Sequence, residues 1–446
     1  MKTPIYDFVS AYAKADALRL HMPGHKGVGP LGLEKLDITE IDGADSLYEA
    51  GGIIAQSEDN ASRLFGCQTL YSTEGSSQCI RAMLSLVLLH AKQTGRKPLI
   101  AAGRNAHKTF LSGAALLDMD VDWLYPDKMS TYLSCALTPE EMERYLASAA
   151  EKPVAVYLTS PDYLGCMTDI AGIARVCHAH GVLLAVDNAH GAYLRFLEPS
   201  LHPIDLGADF CCDSAHKTLP VLTGGAYLHI APGVEKTIAA QAKNALALFG
   251  STSPSYLIMQ SLDLANAYLC EYPRKLQAFA AEVSALKQRL MALGYVLYGD
   301  EPLKITLEAK KRGYVGHALA RLLLESGLVC EYADPDHVVL MLTPEISGEG
   351  LSRIEAALAA IPQKPVIETE PPRLRKGRRV CSVREAMLSP AETLPVENCC
   401  GRILAAASVG CPPAVPILIC GEEIDREALE CFRYYGIGEC AVIAGN

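Results

Sequence analysis

A lysine just past one apolar run and an aspartate closing another are the residues of this chain best suited to covalent chemistry. Lys217 follows Asp209-Phe-Cys-Cys-Asp-Ser-Ala-His, and Asp187 closes Val182-Leu-Leu-Ala-Val, 30 positions earlier. A lysine exposed at the end of a buried strand can form an imine with an aldehyde. An aspartate at the end of a neighbouring strand can keep a pyridine nitrogen protonated. Ser72-Thr-Glu-Gly-Ser-Ser77 opens a helical stretch running to Gln93. Its free N–H groups and dipole favour an anion at a glycine turn lined by hydroxyls. His107, in Arg104-Asn-Ala-His-Lys-Thr109, follows a further apolar run on the same expected rim and suits stacking on a flat ring. Together these features describe a site for pyridoxal phosphate. Each alone also fits a plainer role: a solvated lysine, a turn-capping aspartate, a serine N-cap, a helix-capping histidine.

The elements that must position these residues alternate. Between Ser76 and Ile230 the pattern predicts strands at Pro98–Ala102, Val121–Leu124, Val154–Thr159, Val182–Asp187, Asp209–Asp213 and Gly225–Ile230. Helices are predicted between them, at Ser77–Gln93, Lys108–Leu117, Pro139–Ala150 and Ile170–His180. Such alternation implies an α/β fold, with a mainly parallel sheet covered by helices on both faces and ligands bound beyond the carboxyl ends of its strands. Asp187 and Lys217 both fall there. Residues 254–293 read as mostly helical. A smaller α/β unit follows, with strands at Lys304–Leu307 and Val338–Leu342 flanking a helix at Val315–Ser326. The expected domains are an N-terminal segment (1–50), a large cofactor-binding domain (51–293), a small α/β domain (294–365), a proline-rich basic linker (366–379) and a C-terminal domain (380–446). The last has an apolar strand expected at Val415–Cys420.

Composition narrows the function classes. Forty basic residues against 51 acidic ones give a net charge of −11, which disfavours nucleic acid or an anionic membrane as partner and leaves a small molecule. Neither a secretory signal nor an apolar run of membrane-spanning length is present, so a cytoplasmic protein is expected. The 16 cysteines then read as reduced thiols, and no spacing among them or the histidines, including Cys177, His178 and His180, makes a four-ligand metal pattern, so no metal is expected.

The motifs occur in a family order. His21-Met-Pro-Gly-His-Lys-Gly27, Asp37-Ile-Thr-Glu-Ile-Asp-Gly-Ala-Asp-Ser-Leu47, Thr73-Glu-Gly-Ser-Ser77, Arg104-Asn-Ala-His107, Asp187-Asn-Ala-His190, Ser214-Ala-His-Lys217, Ser251-Thr-Ser-Pro254 and Pro412-Pro-Ala-Val-Pro-Ile-Leu-Ile-Cys-Gly-Glu422 span nearly the whole chain. In this order they resemble the pyridoxal-phosphate-dependent ornithine/lysine/arginine decarboxylases of aspartate-aminotransferase fold. The resemblance implies that Lys217 is the imine lysine and Asp187 the partner of the pyridine nitrogen. It implies His107 stacked on the ring with Ala189 beneath it. His216 and Ser214 would hold the phosphate with Gly75, Ser76 and Ser77, and His190 would line the same site. Ser251 and Thr252 would reach a second subunit's phosphate, so that a homodimer, or a dimer of dimers, shares its active sites. The chain resembles the short form of the family, without an N-terminal wing domain. It departs from the family pattern at Glu74, Ala215 and Asn188, which leaves substrate preference open.

The resemblance implies decarboxylation of a basic amino acid, arginine or lysine ahead of ornithine, to an amine of polyamine metabolism. A basic substrate needs an acid for its distal cation, and Asp45 and Glu49 in the acidic stretch, or Glu422, could supply it. Another enzyme of the same fold, an aminotransferase or other lyase, is the alternative, and a cofactor-binding regulator without activity is a third reading.

Overall fold

The computed structural model describes residues 1–15, 17–128, 131–372, 376–407 and 413–445. Residues 373–375 of the expected linker and Pro412 of the tail motif lie outside the described residues.

The main sheet has seven strands: β1 (Gln68–Ser72), β2 (Leu99–Gly103), β3 (Asp120–Leu124), β4 (Ala155–Thr159), β5 (Leu183–Asp187), β6 (Phe210–Asp213) and β7 (Ala226–Ile230). Their order across the sheet is β1-β7-β6-β5-β4-β2-β3. The helices include α1 (Pro4–Lys14), α2 (Ile53–Phe65), α3 (Gly75–Thr94), α4 (Lys108–Leu117), α5 (Pro139–Ser148) and α6 (Ile170–Ala179). Pairs β2–β3 and β5–β6 are parallel, whereas β7 runs antiparallel to both β6 and β1. Every strand expected between Pro98 and Ile230 is present, with ends shifted by a residue or so. β1 was not expected, because Gln68-Thr-Leu-Tyr-Ser72 is short and half polar. Its polar groups are satisfied inside: the Ser62 hydroxyl accepts the Thr69 N–H at 2.9 Å, and Ser72 Oγ donates to Gln78 Oε1 at 2.5 Å.

The chain forms two compact units, each discontinuous in sequence. The first holds residues 1–98, 154–156 and 177–276, the second the remainder. In the first, Phe65, at the C-terminal end of α2, packs on Phe196, Tyr227 and His229 with ring centroids 5.4, 5.1 and 4.6 Å away. Rings of this kind, when fully buried, contribute about 2–3 kcal/mol each through removal from water.

The second unit contains a four-stranded antiparallel sheet, ordered β10-β11-β9-β8, from β8 (Leu297–Tyr298), β9 (Lys304–Glu308), β10 (Tyr332–Ala333) and β11 (His337–Met341). Near the C-terminus, β12 (Ala391–Pro395) pairs with β13 (Glu439–Ile443). The strand expected at Val415–Cys420 is absent: the segment is buried but irregular. Pro416 removes a ladder donor, and the Arg104 guanidinium takes the carbonyls of Pro416 and Ile417 at 2.8 and 2.5 Å. A buried cation here does the hydrogen bonding that a neighbouring strand would otherwise supply.

Candidate active site

Sheet direction assembles the site within the first unit. β5 and β6 are parallel, with Asp187 opposite Cys212, so their C-terminal ends leave on one edge. β7 begins at that edge, and its first residue, Ala226, stands opposite Ser72 at the end of β1. The turns after β1, β5 and β6 and the turn before β7 therefore share a rim.

Lys217 sits in the one-turn helix Ala215–Thr218 that follows β6. Its Nζ lies 3.0 Å from Nε2 of His190, at the end of the Asp187–His190 turn. Asp187 is 2 % exposed, and its Oδ1 accepts the Ala189 N–H at 3.2 Å and the Cys212 thiol at 3.6 Å. The turn is anchored from behind: Asn188 N–H donates to the Cys212 carbonyl at 3.0 Å, and its side-chain amide donates to Asp213 Oδ1 at 2.7 Å.

Asp213 was missed in the sequence. Its Oδ2 accepts from Nε2 of His202 at 3.1 Å and from Nε2 of His229 at 3.0 Å, with all three side chains fully buried. Burial alone would raise the Asp213 pKa, but the two imidazoles outweigh it and hold the carboxyl below its ordinary value. Burial conversely pushes His229 down, toward the neutral form. Asp213 lies inside the Lys217 motif, yet nothing in the linear pattern announces that His202 and His229 converge on it.

The anion cup takes shape where α3 begins. Ser214 Oγ donates to Ser76 Oγ at 2.8 Å, joining the turn after β6 to the first turn of α3. Gly75 has φ +72, and a Cβ there would meet nothing within 4 Å, so a ligand can approach the backbone. Its N–H donates to Gly224 O at 2.7 Å. No side chain caps α3 from Glu74; that carboxylate turns away and accepts the Ser251 N–H. Ser77 lies in the same first turn. His216 is tied through Nδ1 to the Gly225 carbonyl at 3.0 Å, and burial lowers its pKa, helped by Lys217. A neutral ring donating from Nδ1 presents Nε2 as an acceptor.

The remaining expected residues occupy other settings. Ser251 and Thr252 are exposed in the loop after the helix Ala242–Ala247. Asp45, at φ +75, accepts four backbone N–H groups, those of Ser46 and Gly51 on Oδ1 and of Gly52 and Ile54 on Oδ2, at 2.8–3.0 Å. Burial would raise its pKa, but these bonds lower it. Its oxygens thus bind the entrance to α2, whereas Glu49 is exposed. In the second unit, His107 caps α4, its Nδ1 accepting the Thr109 N–H at 3.1 Å. Glu422 is buried there, accepting the Ile419 N–H at 2.9 Å, and burial raises its pKa against the pull of Arg104.

The Orn/Lys/Arg decarboxylase major domain matches residues 3–294. The chain belongs to the Orn/Lys/Arg decarboxylase family. It is 28% identical to an arginine decarboxylase of Bacillus subtilis, over 96% of this chain and 92% of that protein, and 29% identical to the uncharacterized protein YaaO of the same organism, over 96% and 93%. Its fold is similar to that of the Francisella novicida lysine decarboxylase LdcF, with a TM-score of 0.80 at 16% identity, covering 99% of this chain and 81% of that one. The chain is therefore an amino-acid decarboxylase with the type-I fold of pyridoxal-phosphate enzymes. Among its described residues no helix is long and apolar enough to cross a membrane.

Proposed function

We propose that this chain decarboxylates a basic amino acid, arginine or lysine ahead of ornithine, using pyridoxal phosphate, and that the amine enters polyamine metabolism. The observation that carries the proposal is the pairing of Lys217 with His190 on the same rim as the Ser214–Ser76 hydroxyl pair. A lysine, a buried strand-end carboxylate and an uncapped helix start with two hydroxyls match the aldehyde, ring nitrogen and phosphate of that cofactor.

When bound, pyridoxal phosphate supplies an electron sink for the bond between Cα and the carboxylate. The first turn of α3, with Ser76, Ser77 and Gly75, would take the phosphate together with Ser214. Asp187 would accept the hydrogen bond of the ring nitrogen and favour its protonated form. Ala189 would lie against one face of the ring. His190 positions the Lys217 amine through its Nε2 and can accept a proton from it, which leaves the amine nucleophilic. Because His216 presents an acceptor at Nε2, Lys217 is the better group to return a proton to Cα. Glu49, whose carboxylate is exposed, is the better of the acidic-stretch candidates for the distal cation, since Asp45 is engaged by four N–H groups.

We also propose a cytoplasmic homodimer. Ser251 and Thr252 are exposed, as a loop reaching a partner requires, and Leu18, Leu20, Met22, Val28 and Leu31 are 66–84 % exposed, an apolar stretch suited to a second copy. The deciding experiment is to incubate purified protein and cofactor with arginine, lysine and ornithine in turn and to identify products by mass. Carbon dioxide and one amine are expected. A keto acid would make the chain an aminotransferase, and no product from any of the three would leave a regulator.

A further inference from the structure

A second cluster of chemistry-bearing side chains lies in the second unit, in the turn Asp334-Pro-Asp-His337 that joins β10 to β11. Asp334, Asp336 and His337 are 3, 8 and 8 % exposed. One potential ligand atom from each falls within 4.8 Å of the other two. Asp334 Oδ2, Asp336 Oδ2 and His337 Nδ1 are all buried without a hydrogen-bond partner. Three such atoms in one place are costly, since each unsatisfied buried polar group forfeits about 1–3 kcal/mol, more when charged.

The opposite oxygens are firmly held. Asp334 Oδ1 accepts the N–H groups of Asp336 at 2.7 Å and His337 at 2.6 Å. Asp336 Oδ1 accepts from the Tyr434 hydroxyl at 2.6 Å and lies 2.7 Å from Lys310 Nζ. Each carboxylate is thus oriented through one oxygen and leaves the other unpartnered, which is how outer partners orient metal-binding carboxylates. His337 Nδ1 stands 3.4 Å from Asp334 Oδ1. That is long for a charged N–H···O bond, about 2.7–2.9 Å, so the imidazole nitrogen is not satisfied by the oxygen that the two backbone N–H groups already hold.

Charge points the same way. Glu308 stands opposite His337 in the β9–β11 pairing and adds a third acidic residue to Asp334 and Asp336, against which the Lys310 ammonium is paired with Asp336 at 2.7 Å. With a neutral imidazole two negative charges remain, the complement of a divalent cation. The turn is also fixed in place: Gly316 N–H donates to the Pro335 carbonyl at 3.0 Å, and a Cβ at Gly316 would fall 2.1 Å from the Asp334 carbonyl oxygen.

We infer that Asp334, Asp336 and His337 form a binding site for a divalent first-row transition ion of the zinc class, with water in the remaining position and a structural role at the β10–β11 turn. Two carboxylate oxygens and one imidazole suit such an ion. The rival occupant is a proton on His337, which would neutralise part of the charge with no metal.

The test uses the full-length holoenzyme, loaded with zinc sulfate, dialysed, and analysed for metal content beside His337→Gln and Asp334→Asn. The wild type is expected to retain about one equivalent that both variants bind at least about tenfold more weakly. Its melting temperature is expected to rise with zinc and fall with chelator, as ligand linkage requires. Cobalt substituted for zinc should show visible bands of nitrogen and oxygen ligation without thiolate charge transfer, a readout on the wild type that needs no variant to fold. No retained zinc, retention in both variants equal to that of the wild type, or a cobalt spectrum with thiolate charge transfer would each overturn the site and return His337 to a partner of Asp334 without metal.

Discussion

The amine of Lys217 lies 3.0 Å from Nε2 of His190, so the residue proposed to bond the cofactor is held by a side chain at the end of the turn that begins with Asp187. Both therefore depend on the β5–β6 register, and a change at either strand end is felt by the other. His190→Ala removes the group that fixes the amine and can take its proton. A drop of about a hundredfold in kcat is expected with little change in KM, measured by steady-state carbon dioxide release. An unchanged kcat would place His190 outside the reaction.

The Ser214–Ser76 pair predicts a binding effect. Hydrogen bonds from hydroxyls to a charged phosphate are worth about 1.5–3 kcal/mol each, so Ser214→Ala or Ser76→Ala should weaken cofactor affinity about tenfold or more. Titrating cofactor into the apoprotein and following absorbance measures this directly. Lys217→Ala should abolish the imine absorbance, and its survival would move the cofactor lysine elsewhere.

The acidic stretch separates into two roles that can be told apart. Asp45→Ala loses four backbone partners at the start of α2 and leaves a non-glycine residue at φ +75. A loss of about 2 kcal/mol in stability is expected with KM unchanged. Glu49→Gln should do the reverse, raising KM for the basic substrate without moving the melting temperature. A KM effect confined to Asp45 would exchange the two assignments.

The strands between Pro98 and Ile230 could be read from the sequence because strands covered on both faces are apolar throughout and helices between them have their own period. The positions of Asp187 at the end of β5 and of Lys217 in the turn after β6 were legible for the same reason, as polar residues that follow apolar runs. β1 was not, since Gln68-Thr-Leu-Tyr-Ser72 has the composition of a loop and is stabilised by partners distant in sequence, among them the Tyr71 hydroxyl bonded to Ser57 at 2.8 Å and to Asn266 at 2.7 Å. Val415–Cys420 misled in the opposite sense: apolar content marked burial correctly, but the hydrogen bonds went to Arg104. Asp213 escaped notice because His202 and His229 reach it from segments separated in the sequence, whereas the Asp334-Pro-Asp-His337 run, though local, has the composition of an ordinary turn and its burial comes only from the fold.

Asp213 carries a stability prediction. Asp213→Ala would leave the Asn188 amide and both imidazole N–H groups without their acceptor in a fully buried setting. A loss of about 3 kcal/mol is expected, read from urea denaturation. The sign of the pH effect follows from a depressed carboxyl pKa: the wild-type advantage over Asp213→Ala is full at neutral pH and shrinks as pH falls below the unfolded carboxyl value. An advantage that grows on acidification would refute the account of an ionised Asp213 held by the two imidazole N–H groups.

Asp263 should act with the opposite sign. It lies in the helix Tyr256–Leu269, fully buried, where Oδ2 accepts the N–H groups of Ile5 and Tyr6 at the start of α1, at 2.9 and 3.0 Å. Oδ1 lies 2.5 Å from the Ser57 hydroxyl. Burial outweighs these bonds and pushes its pKa up to about 6. The protonated acid suits the site, for its carbonyl oxygen still accepts both N–H groups while its O–H donates to Ser57. Between about pH 4 and about pH 6 the folded chain therefore keeps a proton that the unfolded chain has released, and stability must fall as pH rises through that window. At about 1.4 kcal/mol per pKa unit the loss reaches roughly 3 kcal/mol. Asp263→Asn keeps an acceptor for α1 and cannot ionise, so subtracting its urea midpoints from those of the wild type isolates the effect. The difference should move against the wild type from about pH 4 to about pH 6 and stay level above it. A difference that is flat across the window, or that moves in the wild type's favour, would mean that Asp263 is already ionised when α1 docks.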